Sequence, residues 1–315
     1  VAGLSGTITQ LAVGHFHTCA LNADGIVQCW GKNLSGQLGD GTAITRTTPI
    51  TVNLNVAVLQ VAAGSRHTCA ITEIRGVKCW GNNSAGQLGI SDTTHDYLEP
   101  ADVPTITDVQ MIVVGEDHTC AVTTSQAMKC WGQNQYGQLG DGSTNMRTTP
   151  VDVSGLSSGV MSITAGFNHT CAILNDGTVQ CWGLNEFGQL GNGSTENRSA
   201  ASNVQRIEGK ALAISAGRTQ TCALTTTGTK CWGGNNFGQL GDGNSSYRTL
   251  PTFVENLPDS IQSVGAGDLH TCALTVNGTV KCWGRNYHGQ LGNGLPGNQS
   301  IPLTVTGLIS GVTQL

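Results

Sequence analysis

The sequence predicts an all-β protein, specifically a β-propeller of six four-stranded blades, with seven blades as the alternative. A segment of the pattern Gly-x-x-His-Thr-Cys-Ala recurs six times, with Gln for His in the fifth copy, and its cysteine returns every 50 or 51 residues. Glycine accounts for 44 residues and charged residues for 11% of the chain, a profile typical of short strands joined by tight turns. A repeated unit of this size cannot bury a core alone, so we expect the six units to form one domain over residues 1–315.

Four short strands are expected in each unit. The first is an apolar run such as Ile8 to Val13, which does not alternate with polar residues and is therefore expected to be covered on both faces. The Thr-Cys-Ala segment forms the second strand and a Val-x-Cys-Trp-Gly segment the third. A fourth strand follows a Gly-Gln-Leu-Gly loop, around Thr48 to Val52 in the first unit. Four antiparallel strands repeated radially describe a propeller.

Each unit carries two cysteines, ten residues apart except in the fifth unit, where they are nine apart. A turn-forming segment such as Asn22-Ala23-Asp24-Gly25 lies between them, so a hairpin would place them directly opposite each other. Opposed strand residues are about 4.5–5.5 Å apart at Cα, within disulfide range. We expect one disulfide per blade: Cys19–Cys29, Cys69–Cys79, Cys120–Cys130, Cys171–Cys181, Cys222–Cys231 and Cys272–Cys282. Buried thiols are the alternative, whereas zinc is disfavoured because no second ligand pair accompanies each pair.

Composition and cysteine usage limit the cellular setting. Twelve paired cysteines indicate an oxidising compartment, so we expect an extracellular or cell-surface protein. The chain begins at Val1 without an apolar leader, as a mature or excised chain would. The formal net charge is −5 and the basic residues are dispersed, which disfavours nucleic acid as a partner. No stretch approaches the roughly 20 apolar residues of a membrane span, so membrane insertion is not expected.

The repeat resembles that of a known family. Gly-x-x-His-Thr-Cys-Ala-Leu, followed by Val-x-Cys-Trp-Gly-x-Asn-x-x-Gly-Gln-Leu-Gly-Asp-Gly, is similar to the repeat of the regulator of chromosome condensation family in its cysteine-containing bacterial form. The resemblance implies a propeller of about seven blades, whereas six complete units are present here. It also implies binding functions, since the family contains nucleotide-exchange factors, chromatin binders and inhibitors of secreted bacterial enzymes. Exchange on a small GTPase with chromatin docking would need a cytosolic or nuclear setting, which the cysteines oppose.

Several residue types recur at one place in nearly every unit, and the fold explains them. Histidines such as His17 are expected to hydrogen-bond their own turns, because equivalent atoms of adjacent blades lie about 10 Å apart and cannot share a metal ion. Tryptophans such as Trp30, directly after the second cysteine, are expected to pack between blades. Asp40 and its equivalents stand before a glycine in a tight turn that needs positive φ angles. Arginines such as Arg46 are expected to bridge to them. Neither a metal site nor a cofactor is expected.

Positions that differ between units are free to specialise, and we place function there. The first set follows the first glycine of each unit and includes His15, Phe16, Arg66, Glu116, Asp117, Phe167, Arg218 and Asp268. The second set precedes the Gly-Gln-Leu-Gly loop and includes Tyr136, Phe187, Phe237, Tyr287 and His288. Aromatic side chains on one rim favour a binding surface, and packing in the outer core is the alternative. No catalytic motif is present and nothing pairs the loop carboxylates at a working distance, so we expect no enzyme activity.

The two ends of the chain nearly repeat each other, since residues 1–11 match residues 305–315. The two copies could overlap in one slot, form part of an extra blade, or pair with a neighbouring molecule. Our main hypothesis is a secreted or surface-displayed, non-enzymatic scaffold that binds a protein or another macromolecule through its rim loops. The alternatives are a structural subunit that joins copies of itself into an extracellular filament or layer through its terminal strands, and an inhibitor of a secreted enzyme.

Overall fold

The computed structural model describes residues 1–258 and 260–315, and every regular element in them is a β-strand. The strands form antiparallel sheets of four, each with its strands side by side in chain order. The fold is a six-bladed β-propeller, which confirms the predicted fold class. The chain divides between Val160 and Met161 into two compact units. In the described part of the chain, no helix has the length and apolarity to cross a membrane.

The first unit contains three blades. Their strands are β1 (Ile8–Val13), β2 (His17–Asn22), β3 (Val27–Gly31) and β4 (Arg46–Thr51); β5 (Val58–Ala63), β6 (His67–Thr72), β7 (Val77–Gly81) and β8 (Tyr97–Asp102); and β9 (Val109–Val114), β10 (His118–Thr123), β11 (Met128–Gly132) and β12 (Arg147–Asp152). The fourth strand of the first blade thus begins two residues before its predicted start at Thr48.

The second unit contains the other three blades, and its boundary falls inside β13. The strands are β13 (Val160–Ala165), β14 (His169–Leu174), β15 (Val179–Gly183) and β16 (Arg198–Asn203); β17 (Ala211–Ala216), β18 (Gln220–Thr225), β19 (Gly228–Gly233) and β20 (Arg248–Phe253); and β21 (Ile261–Ala266), β22 (His270–Thr275), β23 (Val280–Gly284) and β24 (Gln299–Thr304).

All six predicted disulfides are present, one in each blade. Cys19 and Cys29 are register partners in the β2–β3 hairpin, with Cα atoms 4.1 Å apart. In the fifth blade the shorter turn keeps Cys222 opposite Cys231, because Gly228 adopts a φ of 129° that a residue with a side chain rarely takes. The pairing of the two hairpin strands therefore brings the two cysteines of each blade directly opposite each other, within disulfide distance.

Consecutive blades within a unit pack face to face. The front face of a blade carries the tryptophan of its third strand, and the rear face carries the disulfide. Leu21, Val27 and Leu38 on the rear of the first blade pack against Val61 and Trp80 on the front of the second. The predicted position of the tryptophans between blades is confirmed here, since Trp80 is completely buried.

The prediction that the first strands are covered on both faces is wrong. In β5, Val61 is 1% exposed on the front face, but Leu59 is 50% exposed. The first strand is the edge strand of its sheet, so side chains that do not point into the contact between blades remain accessible to solvent. A continuous apolar run is therefore only partly buried in this fold.

Candidate partner-binding surface

The two predicted sets of variable residues lie at the same edge of each blade. Because successive strands alternate in direction, the turn after the first strand and the loop after the third strand share one edge, the upper edge. Backbone hydrogen bonds join the two segments: the Lys32 N–H donates to the Phe16 carbonyl, and the Arg285 N–H donates to the Leu269 carbonyl, both at 2.9 Å. The hairpin turns between the second and third strands lie at the opposite, lower edge.

Buried polar side chains hold the upper loops in place. In the first blade, the Leu38 N–H donates to Oδ1 of Asn33 at 2.8 Å, and Nδ2 of Asn33 donates to Oδ1 of Asp40 at 3.0 Å. Arg46 Nε donates to Oδ2 of Asp40 at 2.9 Å. Burial would raise the pKa of Asp40, but hydrogen bonds from Thr42 and Arg46 hold it below its ordinary value. The predicted arginine bridge is confirmed here and for Arg147–Asp141 and Arg248–Asp242.

In the first unit, the upper edge carries a mixed set of aromatic and charged groups. Phe16 is 43% exposed, and Lys32 Nζ lies 4.6 Å from the centre of its ring. Arg66 and Asp117 approach to 3.7 Å across neighbouring blades, and Gln87 donates to Asp117 at 3.0 Å. Burial raises the pKa of Asp117, and Arg66 and Gln87 oppose that rise. Three further predicted residues lie in these loops, of which His15 is exposed and Glu116 and Tyr136 are half-buried.

In the second unit, the predicted residues form a more continuous aromatic and cationic surface. The Arg218 guanidinium lies 4.5 Å from the Phe167 ring and 3.8 Å from Asp268. Phe237 and Tyr287, on adjacent blades, meet edge to face with ring centres 6.0 Å apart. Tyr287 is 63% exposed. His288 is exposed, and Phe187 and Phe237 are half-buried. The alternative of outer-core packing therefore applies to part of the set, but not to Tyr287 and His288.

Sequence reasoning missed two residues of this surface, Lys32 and Arg285. Arg285 lies 5.5 Å from the Phe237 ring and 5.3 Å from the Tyr287 ring, so it stands beside both aromatic rings. Both basic residues occupy the position directly after Cys-Trp-Gly, which varies from blade to blade. That variation is the signal that could have identified them.

Three of the recurrent histidines bond to the next blade: His17 to Thr68, His67 to Thr119 and His169 to Thr221. For these three, the prediction that they bond to their own turns is wrong. His17 Nε2 lies 2.7 Å from Thr68 Oγ1, and the Thr68 hydroxyl donates to the Gln37 carbonyl at 2.8 Å. Because that hydroxyl proton is already used, Thr68 accepts a hydrogen bond from the Nε2–H of a neutral His17. In the fifth blade, the amide of Gln220 replaces the ring and donates to the Gly267 carbonyl at 2.9 Å. These residues are part of the contact between blades and do not form a ligand site.

The upper edge has the chemistry of a contact surface. No group of three His, Cys, Asp or Glu side chains is placed to hold a metal ion in residues 1–258 and 260–315. A cavity of about 530 Å³ lies at the lower edge of the first blade, between residues 24–27 and residues 51–57, away from the predicted residues. Exposed aromatic and arginine side chains on fixed loops are instead typical of sites that bind macromolecules.

Comparison with known proteins agrees with the repeat pattern. Residues 1–255 match the model of the RCC1-like domain, and residues 261–290 and 277–314 match models of the regulator of chromosome condensation (RCC1) repeat. The chain belongs to the RCC1-like family. The family resemblance inferred from the sequence is thereby confirmed.

Two curated proteins and one solved structure illustrate the relationship. The RCC1-like chain is 33% identical over 225 residues to the ultraviolet-B receptor UVR8 of Arabidopsis thaliana, covering 70% of this chain and 40% of the receptor. It is 32% identical over 200 residues to the probable E3 ubiquitin-protein ligase HERC4 of Homo sapiens, covering 61% of this chain and 19% of the ligase. The structure of Prp20p from Saccharomyces cerevisiae, described together with its binding to Gsp1p and histones, superposes with a TM-score of 0.84 at 26% identity, covering 95% of this chain and 77% of Prp20p.

Proposed function

We propose that this RCC1-like propeller is a non-enzymatic scaffold that binds a partner protein through the upper edge of its second unit. The observation that carries the proposal is the group formed by Phe237, Arg285 and Tyr287. Tyr287 is exposed, and the loops that carry Phe237 and Tyr287 are fixed by buried asparagines, since Leu240 N–H donates to Asn235 and Leu291 N–H to Asn286, both at 3.0 Å. Such a preordered aromatic surface loses little entropy when it binds.

Arg285 adds a charge preference to this surface. Its Nε is buried and has no hydrogen-bond partner, and its guanidinium has no ion-pair partner in the described part of the chain. A carboxylate of a partner protein would satisfy this group, while the Tyr287 ring beside it would contact an apolar or aromatic side chain. The preferred partner segment therefore combines an acidic residue with an apolar neighbour. The description of Prp20p as a binder of Gsp1p and histones supports a protein as the partner class.

The proposal is tested by comparing two double variants as capture reagents for proteins of the source organism. Phe237→Ala with Tyr287→Ala should weaken capture of a specific partner by about tenfold or more. A matched control, Val276→Ala with Ile74→Ala, removes side chains that are 59% and 79% exposed at the lower edge and should leave capture unchanged. Equal capture by wild type and both variants would contradict the proposal, provided that all three proteins unfold at the same temperature.

The compartment is part of the same proposal. The described chain has no free cysteine, and disulfides at every blade persist most readily in an oxidising environment, so we place the protein outside the cell or on its surface. Alkylation of unreduced protein from its native source, followed by mass spectrometry, should find no labelled cysteine. Extensive labelling of the twelve cysteines would argue for a reducing compartment instead.

A further inference from the structure

The outer strand of the fourth blade lacks a residue that the outer strands of the other five blades share. In β4, β8, β12, β20 and β24, the fourth residue is a proline: Pro49, Pro100, Pro150, Pro251 and Pro302. In β16 (Arg198–Asn203) the fourth residue is Ala201. Proline on an edge strand has no N–H to offer and so hinders the pairing of a further strand. Among the six outer strands in the described part of the chain, β16 alone is without this protection.

The N–H of Ala201 points away from the sheet. The Val204 N–H donates to the Val179 carbonyl of the same blade at 2.9 Å, and Ser202 pairs in register with β15. Because the backbone groups of a strand alternate in direction, Val204 and Ser202 face β15, whereas Ala201 and Asn203 face outward. β16 has a neighbouring strand on one side only. The outward N–H and C=O groups of Ala201 and Asn203 are therefore placed to pair with a further strand.

The surface beside β16 has room for such a strand. A cavity of about 530 Å³ lies along it, lined by residues 192, 197–203 and 205. Residues 199–202 are Ser, Ala, Ala and Ser, whereas residues 47–50 of β4 are Thr, Thr, Pro and Ile. Side chains this small leave the backbone of β16 accessible, and Ala200 and Asn203 are exposed. The strand is also held in place, because the Ser202 hydroxyl donates to the Cys181 carbonyl at 2.8 Å.

Arg198, at the start of β16, adds a positive charge to this edge. Its equivalents Arg46, Arg147 and Arg248 are each bound to an aspartate of their own loop. In the fourth blade Asn192 replaces the aspartate, and Arg198 is exposed and has no ion-pair partner in the residues that the structure describes. A guanidinium without a carboxylate, beside an open strand edge, favours a ligand that brings one.

We infer that β16 binds an extended, acidic segment of a partner protein as an additional antiparallel strand. Two residues of the segment exchange backbone hydrogen bonds with Ala201 and Asn203, and an Asp or Glu nearer its C-terminal end pairs with Arg198. A second copy of this chain is a poorer occupant. If its Asn203 paired with Ala201, its Arg206 would lie opposite Arg198, and like charges directly opposite each other destabilise a sheet.

The test is a selection of random peptides of about ten residues on the full, oxidised chain, repeated with Ala201→Pro. Because proline occupies this place in the other five blades, the variant should unfold at the same temperature as the wild type. The peptides that the wild type retains should be rich in β-branched residues and contain Asp or Glu, and Ala201→Pro should weaken their binding about tenfold or more. A matched control, Ala200→Ser, keeps every backbone N–H of β16 and should bind as the wild type does.

The variant Arg198→Gln tests the charge of the same site without changing the backbone. It should weaken binding of the acidic peptides about tenfold and remove most of the dependence of their affinity on salt. Peptides in which Asn and Gln replace Asp and Glu should bind the wild type and Arg198→Gln equally. A purely structural role of Arg198 would not produce this dependence on the charge of the peptide.

Three results would overturn the inference. They are a selection in which the wild type retains no peptide more tightly than Ala201→Pro does, acidic peptides whose binding is insensitive to Arg198→Gln, and self-association of the wild type that Ala201→Pro abolishes, which would identify a second copy as the occupant. The inference does not rest on the upper edge. Phe237→Ala with Tyr287→Ala should retain peptide binding at β16, so failure of this inference and failure of the proposed function are distinguishable.

Discussion

His17 Nε2 lies 2.7 Å from Thr68 Oγ1, and this contact joins the first blade to the second. The threonine hydroxyl donates onward to the Gln37 carbonyl, which also receives the Trp80 indole N–H. The Gln37 carbonyl therefore accepts two hydrogen bonds from the second blade. The His17 ring donates in turn to the threonine hydroxyl. The imidazole is neutral, because burial lowers the pKa of His17 to about 4 and Nδ1 is buried without an acceptor for a second proton.

The first prediction concerns pH. Burial also lowers the pKa of His67 to about 3 and that of His118 to about 4 from the ordinary value of 6.5. Above pH 6.5 these rings are neutral in both the folded and the unfolded chain. Below pH 6.5 the histidines of the unfolded chain become protonated, whereas the buried rings of the folded chain stay neutral. The free energy of unfolding therefore falls as the pH falls toward about 4. At pH 5 the loss is about 2 kcal/mol per histidine.

The variant His67→Gln isolates this effect, because Gln220 already fills the equivalent place in the fifth blade. Its free energy of unfolding should depend less steeply on pH between 6.5 and 4 than that of the wild type, measured by urea titration at several pH values. An unchanged slope in His67→Gln would contradict the assignment of a neutral, buried ring.

The second prediction compares two tryptophans. Trp80→Phe removes an indole N–H that donates to the Gln37 carbonyl and should cost about 1–2 kcal/mol of unfolding free energy, including the lost ring volume. Trp30→Phe removes an indole with no described acceptor and should cost less than about 0.5 kcal/mol in the dilute protein. Chemical denaturation at low protein concentration measures both, and equal costs would mean that the first and second blades are packed alike.

The third prediction compares two arginines. In the third blade, Arg147 holds the nearly buried carboxylate of Asp141 through Nε and a terminal nitrogen, each 2.7 Å from Oδ2. In the fourth blade, the corresponding pair is Asn192 and Arg198, without a carboxylate. Arg147→Ala should therefore destabilise the protein by about 1–2 kcal/mol, and Arg198→Ala should stay within about 0.5 kcal/mol of wild type. The midpoint of urea unfolding distinguishes these outcomes.

The fourth prediction concerns a disulfide. The Cys171–Cys181 bridge closes a loop with a sequence separation of ten, so Cys171→Ser with Cys181→Ser should lower the free energy of unfolding by about 2–3 kcal/mol in the chain-entropy model. The far-ultraviolet circular dichroism should not change, because β14 and β15 keep their backbone pairing. Loss of the native spectrum would instead show that this hairpin needs its bridge to form.

Much of the fold could be predicted because the hairpin geometry is local. The spacing of Cys19 and Cys29 around a turn is enough to place them opposite each other, and the shorter spacing of Cys222 and Cys231 obeys the same rule. The Arg46–Asp40 bridge could be predicted for the same reason, since Asp40 lies in the loop that leads to Arg46 at the start of β4. The hydrogen-bond partner of His17 could not be predicted in this way, because Thr68 is 51 residues away on another blade.

The candidate surface was predicted in part. Variation between units identified Phe237 and Tyr287, but it did not show that their rings meet or that Arg285 lies beside them. Those facts depend on how adjacent blades pack, and a repeat pattern describes each blade in isolation. The position of Arg285 also varies between units, but its place beside both rings depends on the packing of adjacent blades.

The strands, the hairpin register, the disulfides and the edge that carries the variable loops all follow from residues within one repeat unit, so they could be predicted from the sequence. The burial of equivalent residues follows from the packing of the blades and could not. Leu11 and Val61 occupy the same place in the pattern, yet one is 57% exposed and the other 1%. The two residues differ because burial depends on the blade that packs against each face, as the first blade packs against Val61, and that contact lies outside the repeat unit itself.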